Sequence, residues 1–326
     1  METLSIGKYR GLQQCTSSRG IFTCLALDHR QNLRRALNPS NPESVNDDLL
    51  TQFKLEVTSI LAREATAVLL DPQYSAAQAI ASNAIPGSIG LVVAVESTGY
   101  GGKPTDRQSR ILSGWNVAKA KRMGASMIKL LVYYHPDATT AFTIENFVHQ
   151  VAIECQRLDM GLMLEPLSYS LDPDKKTLES AEKRYVVIEA ARRLVIPGVD
   201  VLKTEFPLDI ATDLDEATCK AACAEISNAS LAPWILLSSA IDFETYMRQV
   251  AIACSAGASG IAVGRAVWKE AVTMDTEERK KFLRSTARQR LSRLNALCNA
   301  LGKPWTDLYS PARVHANWYS SYGEIP

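Results

Sequence analysis

The chain has 326 residues and a formal charge of +1, with 46% hydrophobic and 22% charged residues. That balance is ordinary for a globular protein and leaves no basic field for nucleic acid or an anionic membrane. No run approaches the ~18 apolar residues of a membrane span, and residues 1–20 lack the apolar centre of a secretion signal, so a soluble cytoplasmic protein is expected.

The first predicted strand covers residues 21–27 (IFTCLAL), with Asp28-His29-Arg30 at its carboxyl end. Apolar residues at helical spacing over 43–64 (Leu49, Leu50, Phe53, Val57, Ile60, Leu61) predict a helix starting near Ser44. Residues 66–70 form the second strand, closed by Asp71-Pro72, and a short helix follows. Residues 90–95 form the third, closed by Glu96. A glycine-rich loop occupies 97–105, and 106–124 reads as a helix with Ile111, Leu112, Trp115 and Ala118 on one face. The fourth strand, 126–132, carries Lys129 inside it. After a helix over 144–157, the fifth strand spans 161–164, with Glu165 at its end and Pro166 expected to stop it.

A helix over 178–194 leads to the sixth strand, 199–206, whose continuous apolar run carries Lys203 near its carboxyl end. Residues 213–226 form the next helix, and 234–237 the seventh strand, followed by Ser238-Ser239. A helix over 243–256 precedes the eighth strand, 259–263, which ends at Gly264-Arg265. One amphipathic, cation-rich helix is predicted over 276–301, then a tail with Trp305, Tyr309, Trp318, Tyr319 and Tyr322.

Eight short apolar strands alternating with helices predict an α/β fold, a closed (β/α)8 TIM barrel. Residues 1–326 are expected to make a single domain, with a short N-terminal extension, a C-terminal helix and the aromatic tail. A doubly wound open sheet is the rival, but no G-x-G-x-x-G follows the first strand.

In such a barrel the site lies at the carboxyl ends of the strands. Those positions hold Asp28, His29 and Arg30, then Asp71, Glu96, Lys129, Glu165, Lys203, Ser238, Ser239, Gly264 and Arg265. Strands 4, 5 and 6 supply the chemical centre: Lys129, Glu165 and Lys203. Neighbouring strands stand ~4.8 Å apart, so a second ammonium near Lys203 would favour its neutral, nucleophilic form, and Glu165 could move protons. The plain alternative for Glu165 is an ion-pair partner that keeps both lysines charged. Ser238, Ser239, Gly264 and Arg265 suit a phosphate, with Arg265 as a bidentate clamp. His29 and Arg30 are expected to face the far end of a substrate, across the mouth from Arg265. At its ordinary pKa of ~6.5, His29 would add charge below that pH, unless it is a neutral group hydrogen-bonded to Asp28 or Glu96. The four histidines (29, 135, 149, 315) are scattered and the seven cysteines show no CxxC, so no metal site is expected and the thiols should be reduced core residues.

The motifs ALDHR, VLLDPQYS, VESTGY, MIKLLVYYHPD, LEPLSY, VDVLKTEFP, LLSSAID and GIAVGRAVW occur in that order across all eight strands. Together they resemble the class I tagatose-1,6-bisphosphate aldolase family, which also contains the sulfofructose-phosphate aldolases. The resemblance implies a metal-independent, cofactor-free lyase in which Lys203 forms the Schiff base, Glu165 is the acid/base and Lys129 assists. It further implies that Asp28 and Arg30 lie near the substrate's hydroxyls and distal anion, with Ser239 and Arg265 on the phosphate of the ketone half. This chain departs from the common pattern at His29 (usually Gln), at Ser239-Ala240 (usually Ala-Gly), and in a shorter loop between strands 5 and 6.

The expected activity is reversible cleavage of a phosphorylated ketose, tagatose-1,6-bisphosphate-like, to dihydroxyacetone phosphate and an aldehyde. Alternatives are the same chemistry on a sulfofructose phosphate or deoxy-sugar phosphate, a barrel isomerase using Glu165 as base, and a non-catalytic sugar-phosphate-binding barrel. The expected partner is a small-molecule ketose phosphate, with no nucleic acid or membrane; homo-oligomer formation stays open.

Overall fold

The computed structural model describes residues 1–175, 177–209, 215–320 and 322–323. Eight parallel strands close on one another: β1 (Phe22–Ala26), β2 (Ala67–Leu70), β3 (Gly90–Ala94), β4 (Met127–Tyr133), β5 (Gly161–Leu167), β6 (Val201–Thr204), β7 (Trp234–Leu237) and β8 (Gly260–Val263). Each is an almost unbroken apolar run because helices cover the outside while side chains fill the inside. The seam is the β8–β1 ladder, where Phe22 pairs with Gly260 and Leu25 with Val263. A two-stranded parallel sheet, Glu2–Leu4 with Tyr309–Pro311, ties the chain ends together. The helix Ile6–Gln14 brings Lys8 to the amino end of β6, where it binds Asp200 at 2.8 Å.

Several expectations need correction. The helix expected over 106–124 is confined to Val117–Arg122, capped by the Asn116 side chain. Before it, residues 97–116 form a flap held by antiparallel bridges between Glu96 and Ile111 and between Gly101 and Gln108. Gly114, in the left-handed region, interrupts the expected span, while Pro104 and the left-handed Gly99 and Gly102 shape the loop before it. Ile111 and Trp115 satisfied the apolar spacing because the flap packs them on the core.

Strand β5 runs through Pro166 to Leu167 instead of stopping. Its pairing with β6 is confined to Met163–Val201 and Leu164–Leu202, so the missing N–H of Pro166 removes nothing from that ladder. The helix expected from Ser44 starts at Asp47, capped by Asn46. The helix expected over 213–226 is Glu216–Ala229, capped by Asp215; residues 213 and 214 lie outside the described ones. The helix predicted over 276–301 is broken by a π turn, Leu283–Ala287, between Thr276–Phe282 and Arg288–Leu301. All seven cysteines are buried free thiols. Among the described residues no helix is long and apolar enough to cross a membrane.

Candidate active site

A cavity of about 690 Å³ opens at the carboxyl ends of the strands. Its lining follows the two-residue period of a strand, with Ala26 and Asp28 from β1 and its end, Lys129, Leu131 and Tyr133 from β4, and Glu165 and Leu167 from β5. Lys203 and Glu205 continue it from β6, and Ala262 and Gly264 from β8. Eleven of the twelve predicted site residues line this one cavity: Asp28, His29, Arg30, Glu96, Lys129, Glu165, Lys203, Ser238, Ser239, Gly264 and Arg265.

Asp71 does not line it. The residue is fully buried and forms an ion pair with Lys54 of the helix Asp47–Leu61. Its carboxylate also accepts from Gln73 N at 3.0 Å, Tyr74 N at 2.8 Å and Ser75 Oγ at 2.7 Å. A carboxylate so occupied shapes the turn after β2 and has no oxygen to spare for a substrate.

The centre is a mesh of opposite charges. Lys129 Nζ donates to Asp28 Oδ2 at 2.7 Å and to Glu96 Oε1 at 2.8 Å, and stands 2.9 Å from Glu165 Oε2. Lys203 Nζ stands 2.8 Å from Glu165 Oε1. Burial works against the charge on Lys129, yet Asp28, Glu165 and Glu96 outweigh it and hold the ammonium well above its ordinary pKa. Burial likewise raises the Glu165 and Asp28 carboxyls, but Lys129 and Lys203 overcome it and hold both below their usual range. The two lysines therefore face each other through Glu165, not ammonium to ammonium.

His29 lies elsewhere than expected. Barrel closure makes β8 the neighbour of β1, so His29 sits beside the Gly264-Arg265 turn, not across the mouth from it. Its ring packs edge-on against Trp268 at 5.4 Å between centroids. Burial pushes its pKa down to about 4, with Asp28 opposing and Arg265 and Lys203 assisting, so the imidazole is neutral at physiological pH. It accordingly supplies no pH-dependent charge.

On the β7–β8 side, the Ser238 hydroxyl accepts from Gly264 N at 3.0 Å. Arg265 is partly buried and makes no ion pair with a carboxylate among the described residues. Sequence reasoning passed over Tyr133, Glu205 and Arg35, all of which line the cavity. The first two were within reach of the period-2 rule, lying four residues past Lys129 and two past Lys203. Arg35, on the helix Gln31–Leu37, carried no such signal.

A model described as DeoC/LacD family aldolase matches residues 22–270, a span containing the whole barrel and every residue of the mesh. The chain belongs to the DeoC/LacD family of aldolases. This DeoC/LacD aldolase is 30% identical over 326 residues to tagatose 1,6-diphosphate aldolase 2 of Enterococcus faecalis, covering 94% of this chain and 97% of that one. It is 29% identical over 325 residues to the tagatose 1,6-diphosphate aldolase of Streptococcus agalactiae, covering 92% and 98%. Its fold is similar to that of an archaeal fructose 1,6-bisphosphate aldolase (TM-score 0.57, 21% identity, 89% of this chain and 99% of that one). The fructose-bisphosphate aldolase of Slackia heliotrinireducens is also similar in fold (TM-score 0.61, 13% identity, 96% and 93%). The family drawn from the eight motifs and the barrel drawn from the eight strands are both borne out, and the DeoC/LacD aldolase is a lyase.

Proposed function

We propose that the chain is a class I aldolase cleaving a tagatose-1,6-bisphosphate-like ketose to dihydroxyacetone phosphate and a phosphorylated aldehyde, and catalysing the reverse condensation. The observation that carries this reading is the Glu165 carboxylate spanning Lys203 at 2.8 Å and Lys129 at 2.9 Å on the cavity floor. Tagatose 1,6-diphosphate aldolases among its relatives support the substrate class. Five cations (Arg30, Arg35, Lys129, Lys203, Arg265) against four carboxylates (Asp28, Glu96, Glu165, Glu205) on the cavity wall suit an anionic substrate.

In this reading Lys203 passes its proton to Glu165 and attacks the C2 carbonyl as a neutral amine, giving a carbinolamine. Glu165 then protonates the departing hydroxyl, water leaves, and an iminium joins C2 to Lys203. The Glu165 carboxylate takes the C4 hydroxyl proton as the C3–C4 bond breaks, the aldehyde departs, the bond's electron pair moves into an enamine at C2–C3, and Glu165 then holds the proton that C3 receives. Protonation of C3 and hydrolysis of the imine release dihydroxyacetone phosphate and restore Lys203. Lys129 stays cationic throughout, orienting Glu165 and Asp28 and stabilising negative charge on the cleaving hydroxyl. Ser239 and Arg265 hold the phosphate of the ketone half, and Asp28 the sugar hydroxyls. A small-molecule partner and a cytoplasmic setting accord with the near-zero net charge and the seven buried free thiols.

The test is borohydride reduction with dihydroxyacetone phosphate, followed by mass spectrometry of the digest. Added ligand mass is expected on the peptide containing Lys203. An active enzyme labelled elsewhere, or not at all, would overturn the reading in favour of an isomerase or a different aldolase mechanism.

A further inference from the structure

Arg30 lines the cavity, yet its guanidinium is committed to the protein. Nη1 donates to Gln73 Oε1 at 3.0 Å and Nη2 to the Glu96 carbonyl at 2.7 Å. The same Nη2 stands 3.6 Å from Glu96 Oε1, and the residue is only 6% exposed. Gln73 is at the surface but fixed, because Asp71 accepts its N–H and Gln78 donates to its carbonyl at 3.0 Å. At the other end, the Glu96 carboxylate takes Lys129 at 2.8 Å through Oε1 and the Leu131 N–H at 3.1 Å through Oε2. A line of contacts thus runs from Gln73 through Arg30 and Glu96 to Lys129.

We infer that Arg30, held by Gln73, is a positioning residue for the lysine centre and not the ligand of the substrate's far-end anion. This rests on the Schiff-base reading above. An ammonium has three N–H donors, and Lys129 has three carboxylates around it, so turning Glu96 away leaves one donor without its partner. Two of the five N–H donors of Arg30 are taken and, at 6% exposure, the others have little access to the cavity, so swinging the fork out to clamp a phosphate would draw it off Gln73 and Glu96 and release Glu96. One turn along the helix, Arg35 is exposed on the cavity wall and makes no ion pair among the described residues. It is the guanidinium free to meet a far-end anion.

Steady-state kinetics of Arg30→Gln and Gln73→Ala, on a ketose 1,6-bisphosphate and on the 1-phosphate with a neutral far end, test the inference. Arg30→Gln should lower kcat about tenfold or more, and Gln73→Ala about threefold, equally on both substrates. The KM ratio of the two substrates should not move. The alkaline limb of kcat should shift to lower pH in both variants. Lys129 faces Asp28, Glu96 and Glu165, with Lys203, Arg30 and Tyr133 nearby, and loosening Glu96 weakens the field that keeps it charged. Gln73→Glu, which keeps an acceptor for Arg30, should restore kcat. A KM increase confined to the bisphosphate in Arg30→Gln, with kcat intact, would make Arg30 the far-end ligand and overturn the inference. So would a Gln73→Ala enzyme with wild-type kcat and alkaline limb. Both variants should still be trapped by borohydride at Lys203. Absence of trapping in the wild type itself is a separate result that overturns the parent reading.

Discussion

Lys203 Nζ lies 2.8 Å from Glu165 Oε1, on strands whose ladder ends at Leu164–Leu202, one residue below both side chains. The contact is short because both residues project inward from neighbouring strands just past their last pairing. Glu165→Gln removes the carboxylate that spans Lys129 and Lys203 and the proton carrier of the proposed cycle. Its kcat should fall about 10²- to 10⁴-fold, the usual contribution of a general acid/base. Single-turnover cleavage is the measurement, and a loss under tenfold would remove Glu165 from that role.

Buried beside Trp268, His29 is held neutral down to about pH 4. Profiles of kcat/KM for a bisphosphate should therefore superimpose for wild type and His29→Gln between pH 5.5 and 7.5 (roughly one unit either side of the ordinary histidine pKa). A stability effect is expected instead. The folded-state pKa is depressed below the unfolded value of ~6.5, so stability is complete above that pH and is lost as pH falls towards about 4. Denaturant unfolding over that window should show wild type losing more stability than His29→Gln.

Arg265→Lys keeps the charge but loses the planar fork. Dihydroxyacetone phosphate should bind about tenfold more weakly, with the imine still forming at saturation. Unchanged affinity in a borohydride titration would place the phosphate elsewhere.

Two backbone positions make opposite predictions. Gly260 has φ +129°, and a Cβ there would stand 2.0 Å from the Phe22 carbonyl oxygen at the β8–β1 seam. Gly260→Ala should destabilise the barrel by about 3 kcal/mol or more, read as a lower Tm. Ala240 occupies the left-handed region at φ +64°, next to Ser239. Ala240→Gly should stabilise the folded state by about 1 kcal/mol in denaturant unfolding.

Much was determined by the sequence alone. Parallel strands buried on both faces must be continuous apolar runs, and all eight were legible as such, with a polar residue at nearly every carboxyl end. That pattern by itself singles out Lys129, Glu165 and Lys203. The helix over 106–124 misled because periodic apolar spacing records which side chains are buried, and a flap pressed on the core buries Ile111 and Trp115 as a helix would. Tertiary structure alone decided where the side chains at the strand ends point. Asp71 turns outward because Lys54, from a helix 17 residues earlier, waits there for it. His29 lies by Arg265 because closing the ladder joins residues 260–263 to 22–25, and Arg30 lies by Gln73 and Glu96 because β2 and then β3 pair on the other side of β1. Position along a strand is written in local periodicity, whereas direction, charge state and partner are set by residues that meet only when the barrel closes.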